Sequence, residues 1–176
     1  MATAPAPMTI EHYLKTSFHP DVHFVDGEIE ERNLGEFDHG YLQGLLFSWF
    51  REHRLALQAL PVVEQRIQVL TSRVRICDVA VVSTEHPKEQ VAQTPPLICV
   101  EVLSPEDRLS RAERVLADYW RMGVQNIWLL DPYRRAAHFY NADGLHMAAD
   151  NILRVAGTEI TLNVNDLFEA LDETNA

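Results

Sequence analysis

Pro95-Pro96-Leu97-Ile98-Cys99-Val100-Glu101-Val102-Leu103-Ser104-Pro105 is an apolar run between prolines, with one carboxylate set into it. Such a run suits a strand buried on both faces, as in the middle of an α/β sheet. The β-branched Ile98, Val100 and Val102 favour strand over helix. Glu101 is the anomaly, because a carboxylate in such a strand must be paired, bind a metal or sit at an opening. Asp78 repeats the pattern within Arg73-Val74-Arg75-Ile76-Cys77-Asp78-Val79-Ala80-Val81-Val82.

Outward from this strand the chain reads as alternating elements. On its C-terminal side, Ser104-Pro105-Glu106 is a helix-start signal, with Ser104 as cap. The helix is predicted over Glu106–Met122, ended by Gly123, with Leu109, Ala112, Leu116 and Tyr119-Trp120 as its apolar stripe. Ile127–Leu130 is the next strand, which makes a right-handed crossover unit. Ala136–Tyr140 and Leu145–Ala148 form a hairpin, Thr158–Val164 the last strand, and Asn165-Asp166-Leu167 the start of a terminal helix. On the N-terminal side, Thr9 caps a short helix, Val22–Phe24 and Glu28–Glu30 flank an Asp26-Gly27 turn, and Phe37–Arg54 is a long helix with Asp38 as cap. Tyr41, Leu45, Phe47 and Trp49 are expected on its apolar face, and Gly40 and Gly44 in a close packing contact. Val62–Leu70 alternates as a half-buried strand, and Glu85–Pro96 is a loop.

With 176 residues, 47% hydrophobic, the chain can bury a full sheet. Its apolar runs are too short to span a bilayer, and Met1–Pro7 lacks the basic cluster and apolar segment of a signal peptide, so a cytoplasmic protein is expected. Cys77 and Cys99 read as small buried hydrophobes. The formal net charge of −11 opposes non-specific attraction to nucleic acid or anionic membranes, although local arginines or bound cations can reverse the potential at a site. Lys15 and Lys88 are the only lysines, against thirteen arginines.

Asp78 and Glu101 offer oxygens to a hard divalent cation, with a backbone carbonyl beside Glu101 and water completing the shell. The alternatives are structural: Asp78 bonded to Arg73, Arg75 or a helix arginine, and Glu101 to an arginine of the crossover helix. Glu64, Glu28 and Glu31 are either solvated surface acids or further carboxylates within reach of a metal. His39, near a helix start, is either a packing residue or a site residue. Arg108, Arg111 and Arg114 are either a solvated helix face or a phosphate contact face.

Five stretches together resemble the Uma2 family of the PD-(D/E)XK restriction-endonuclease-like superfamily. They are Asp26-Gly27-Glu28, His39, Arg75 to Val81, Pro96 to Pro105, and Tyr119 to Pro132. The resemblance implies a mixed central sheet flanked by helices, an α/β restriction-endonuclease-like core. Residues 1–20 would be a tail with a short helix and residues 21–172 a single domain. It also implies a metal-dependent endonuclease acting on DNA with Mg²⁺ or Mn²⁺. Asp78 matches the first metal-binding aspartate, with Cys77 where proline is usual, and Glu101 matches the second acid. Glu64 is a candidate third ligand and His39 a candidate helper. Leu103 stands in the place of the superfamily lysine. In many Uma2-like chains a lysine lies instead on the following helix, where this chain has Val115. Arg111, one turn before Val115, is the expected replacement cation ahead of the adjacent Arg114, because it shares Val115's helix face. Arginine can stabilise a phosphorane but cannot act as a general base. The competing reading is therefore a catalytically inactive core that binds nucleic acid or protein. A homodimer fits either reading.

Overall fold

The computed structural model describes residues 8–32, 35–105 and 107–175. The chain order is α1 (Ile10–Lys15), β1 (Val22–Val25), β2 (Glu28–Glu31), α2 (Phe37–Glu52), α3 (Arg54–Leu57), β3 (Ala59–Leu70), β4 (Arg73–Ser83), β5 (Ile98–Val102), α4 (Leu109–Met122), β6 (Asn126–Asp131), β7 (Ala136–Asn141), β8 (Gly144–Met147), β9 (Ile152–Arg154), β10 (Thr161–Asn163) and α5 (Val164–Asp172).

Eight strands form one mixed sheet. Its path runs β2-β1-β4-β5-β6-β7-β8, and β3 lies along the other edge of β4. β5 and β6 are parallel, joined by the α4 crossover, and the other neighbours are antiparallel. β5 is buried except at Glu101, and all six residues of β6 are buried, as expected of strands covered on both faces. One apolar cluster joins the sheet to α2 and α5 through Leu42, Leu46, Phe50, Val100, Trp128 and Phe168. A second joins it to α4 through Cys77, Cys99, Leu116, Tyr119, Ile127 and Leu129. Tyr13 of α1 packs with Phe24 and Val74 in a third. Both cysteines are free and buried. Among the described residues no helix is long and apolar enough to cross a membrane.

Several local expectations change in tertiary context. The crossover helix begins at Leu109, after Arg108, and not at Ser104-Pro105. The Asp107 carboxylate accepts from Ser104 N at 2.7 Å, and Asp107 N donates to Ser104 O at 3.0 Å. These bonds close a turn before the helix starts; Glu106 lies outside the described residues. Glu36, not Asp38, precedes α2. The fully buried stripe of α2 is His39, Leu42, Leu46 and Phe50; of the expected residues, Leu45 and Trp49 pack half-buried against the same core, and Tyr41 is exposed. Gly40 and Gly44 mark no close contact: a Cβ on either would meet nothing within 4 Å. Leu109 and Trp120 are exposed, while Val115 is buried. The final strand is short because Val164 opens α5 behind the Asn163 cap, and it pairs with the three-residue β9.

Candidate active site

β4 shares one edge between two strands. β1 pairs with it at Val74 and Arg73, and β5 pairs from Val79 to Val81. The ladder with β5 therefore stops at Val79↔Val100, and Asp78, Glu101 and Val102 lie just beyond it. Backbone groups in the gap between β1 and β5 need other partners. Ile76 N donates to His23 Nδ1 at 3.1 Å, and Val102 N donates to Asp78 Oδ2 at 2.8 Å. The two acids sit at a seam in the sheet, which is how a buried strand tolerates them.

The seam opens into a small cavity of about 60 Å³, lined by Asp78, Glu101, Ser104, Arg111, Val115 and neighbouring groups including His23, Arg32 and His39. This volume suffices for a few water molecules or a partly hydrated ion. Helices approach from both faces. From α2, His39 Nε2 lies 3.1 Å from Asp78 Oδ2, and Gln43, one turn on, donates to Asp78 O at 2.8 Å. From α4, Tyr119 Oη donates to Glu101 Oε1 at 2.6 Å. A Cβ at position 35 would lie 2.8 Å from His39 Nδ1, so the glycine there leaves room for the ring.

The remaining Asp78 oxygen, Oδ1, accepts from Arg32 Nη2 at 2.7 Å. The same guanidinium bonds Glu64 through Nη1. Glu64 lies opposite Asp78, between the pairs Val63↔Val79 and Gln65↔Cys77, and leaves the ladder with φ 52°. Its other oxygen accepts from Gln43 at 2.8 Å.

The electrostatics separate the two acids. Burial pushes the Asp78 carboxyl up, but His39, Arg32 and the Val102 N–H outweigh it and hold its pKa below the ordinary value. Burial and then the Asp78 charge push Glu101 well above its ordinary value. Burial opposes a charged His39 ring, yet the bond to Asp78 leaves its pKa raised. Tyr119 is pushed well up, by burial first, which keeps it protonated as a donor to Glu101.

Of the residues singled out in the sequence, Asp78, Glu101, His39 and Arg111 border one cavity. Arg114 does not: its side chain is 63% exposed and lies 3.7 Å from Glu30. Among the described residues neither expected structural pairing of the acids is found, and the arginine on Asp78 is Arg32. Arg73 and Arg75 bond the buried Asp118 instead of Asp78, and Glu101 bonds a tyrosine instead of an arginine. Glu28 and Glu31 are exposed. Sequence reasoning missed Arg32, His23 and Gln43. Arg32 follows β2 in a segment without periodic signal, and only the fold brings it to β4.

Among the described residues no three His, Cys, Asp or Glu side chains are grouped to hold a metal ion. The donors that do converge suit a hard divalent cation in part. Two carboxylates border one small polar cavity, and among the described residues the side-chain hydrogen bond to Glu101 comes from the neutral Tyr119 hydroxyl.

A family model described as "Uma2: Putative restriction endonuclease" matches residues 10–167. The chain belongs to the Uma2 family. Among solved structures, a "putative nuclease belonging to DUF820 from Anabaena variabilis ATCC 29413" is similar, with a TM-score of 0.81 and 20% identity. The match covers 94% of this chain and 99% of that one, so the two share a fold over nearly their whole lengths. No curated protein matches. Val115 and Leu103 are both buried against the cavity.

Proposed function

We propose that the chain is a metal-dependent endonuclease that hydrolyses phosphodiester bonds of DNA, with Asp78 and Glu101 as the ligands of one Mg²⁺ or Mn²⁺. The observation that carries this reading is the convergence of both acids on one cavity at the seam between β4 and β5. A divalent ion bound there would polarise the phosphodiester and lower the pKa of an attacking water.

The chain's own residues divide the remaining work. His39 and the Val102 N–H orient Asp78, and Tyr119 orients Glu101. Arg111 lines the cavity and, among the described residues, has no carboxylate partner, so its charge is available to a phosphate. Among the described residues no lysine borders the cavity, so this reading assigns the proton to no lysine. A homodimer suits cleavage of both strands of a duplex.

The test is cleavage of single- and double-stranded DNA by the purified protein. Cleavage should require Mg²⁺ or Mn²⁺ and vanish in Asp78→Asn and Glu101→Gln without unfolding. Metal-independent cleavage, or an active Asp78→Asn protein, refutes the assignment.

A second reading, an inactive core that binds nucleic acid or protein, is favoured by Val115 and Leu103, which leave the cavity without an amine. Titration calorimetry separates the two. DNA binding with no heat from either ion supports the module, and ion binding lost in Glu101→Gln opposes it.

A further inference from the structure

Two openings meet at the acid centre. The inner one is the cavity of about 60 Å³ between Asp78 and Glu101. The outer one is a cleft of about 390 Å³ lined by Asp21, Gly40, Gln43 and Glu64. Arg32 and His39 line both and so stand between them. The Arg32 side chain is 16% exposed and makes one bond to Asp78 and one to Glu64. These carboxylates lie opposite each other on β4 and β3, and would repel without a positive group between them. Glu64 holds a left-handed backbone conformation at φ 52°, uncommon for a non-glycine residue, with its carboxylate fastened by Arg32 and Gln43. Divalent cations bridge facing carboxylates in the same way, so guanidinium and ion compete for the same oxygens.

We propose that Arg32 is a positioning residue of the acid centre, an attached counter-ion that occupies the space between Asp78 and Glu64 and limits the centre to one divalent ion. The inference rests on the nuclease reading for the ion at Asp78 and Glu101. It also defines Glu64: with Arg32 in place Glu64 is that arginine's partner, and without Arg32 it becomes a ligand. Arginine suits the role because it stays charged and its fork spans two carboxylates.

The experiment counts Mn²⁺ bound per full-length chain, by the loss of the free-ion electron paramagnetic resonance signal. The wild type should bind one ion and Arg32→Gln two, the second lost in Arg32→Gln/Glu64→Gln. Arg32→Lys, which keeps the charge, should bind one. An Arg32→Gln protein that is folded by circular dichroism yet binds the same number of ions as the wild type overturns the proposal. If Arg32→Gln does not fold, Glu64→Gln alone carries the test. It should leave Mn²⁺ affinity unchanged, and a loss of about tenfold or more, as removal of a group that supports the ion gives, overturns the proposal. The two readings fail separately. A wild type without Mn²⁺, beside an Arg32→Gln protein that binds an ion through Glu64, supports the role of Arg32 and sinks the metal assignment. No Mn²⁺ on any variant sinks both.

Discussion

Replacing Asp118 with asparagine should be among the most damaging changes in this protein outside the acid centre. Asp118 is fully buried on α4, yet accepts from three arginines: Arg73 Nη1 at 3.0 Å, Arg75 Nε at 2.9 Å and Arg121 Nη1 at 3.1 Å. Arg75 Nη2 adds a contact at 2.8 Å. The contacts are unequal. Arg121 is 58% exposed, so water screens its bond and its loss matters little. The Arg75 side chain is 3% exposed and would be left with Glu30 as its carboxylate partner. Removing one partner of a buried ion pair costs roughly 3–5 kcal/mol, because the other charge stays buried. At about 2–4 °C per kcal/mol for a chain of this size, Tm should fall by roughly 6–20 °C. Urea unfolding followed by tryptophan fluorescence measures the loss directly. Joint replacement, Arg75→Met with Asp118→Leu, should recover much of it, since well-packed apolar groups often match a buried pair. A loss below about 1 kcal/mol in Asp118→Asn would refute the reasoning, because it would place the pair among solvent-screened ones. The site should respond too, since Asp118 pins the helix that supplies Tyr119 and Arg111.

Arg111→Ala should lower metal-dependent DNA cleavage by at least about tenfold, and Arg114→Ala by less, since only Arg111 lines the cavity; equal effects would remove the distinction. Val115→Lys places an amine at the cavity wall and should raise cleavage in the same assay; a folded variant with no gain would mean that the missing lysine is not what limits the site. His23 should make stability depend on pH. Burial, then Arg75 and Arg32, lower its pKa well below the ordinary value, and its neutral Nδ1 accepts from Ile76 N. A histidine with a depressed folded-state pKa contributes stability that is present above the unfolded value of about 6.5 and is lost as pH falls below it. Urea unfolding from about pH 8 to pH 5 should therefore show a smaller loss in His23→Gln than in the wild type, and parallel profiles would refute the assignment.

Composition and periodicity determined the central elements of this chain. Long apolar runs with isolated acids at Asp78 and Glu101 specify buried strands, and the α4 pattern between β5 and β6 specifies a crossover, because these signals are local and repeat with the period of the element. That the acids are special was legible for the same reason: a charge in a buried strand needs a partner wherever it folds. What bonds them was not legible. Arg73 and Arg75 are close to Asp78 in sequence, yet they turn to Asp118 on α4, while Arg32 arrives 46 residues away from Asp78. The Ser104-Pro105 signal likewise met a competitor in the Asp107 carboxylate, and the α2 face centres on Leu42, Leu46 and Phe50 with Leu45 and Trp49 at its margin. Strand β9 has three residues, too few for a period to show. Partner choice among thirteen arginines is decided by which side chains the sheet and helices bring within reach, and by the cost of leaving a buried charge alone. Those are properties of the assembled fold: they depend on the seam between β1 and β5, which no segment of the chain contains by itself.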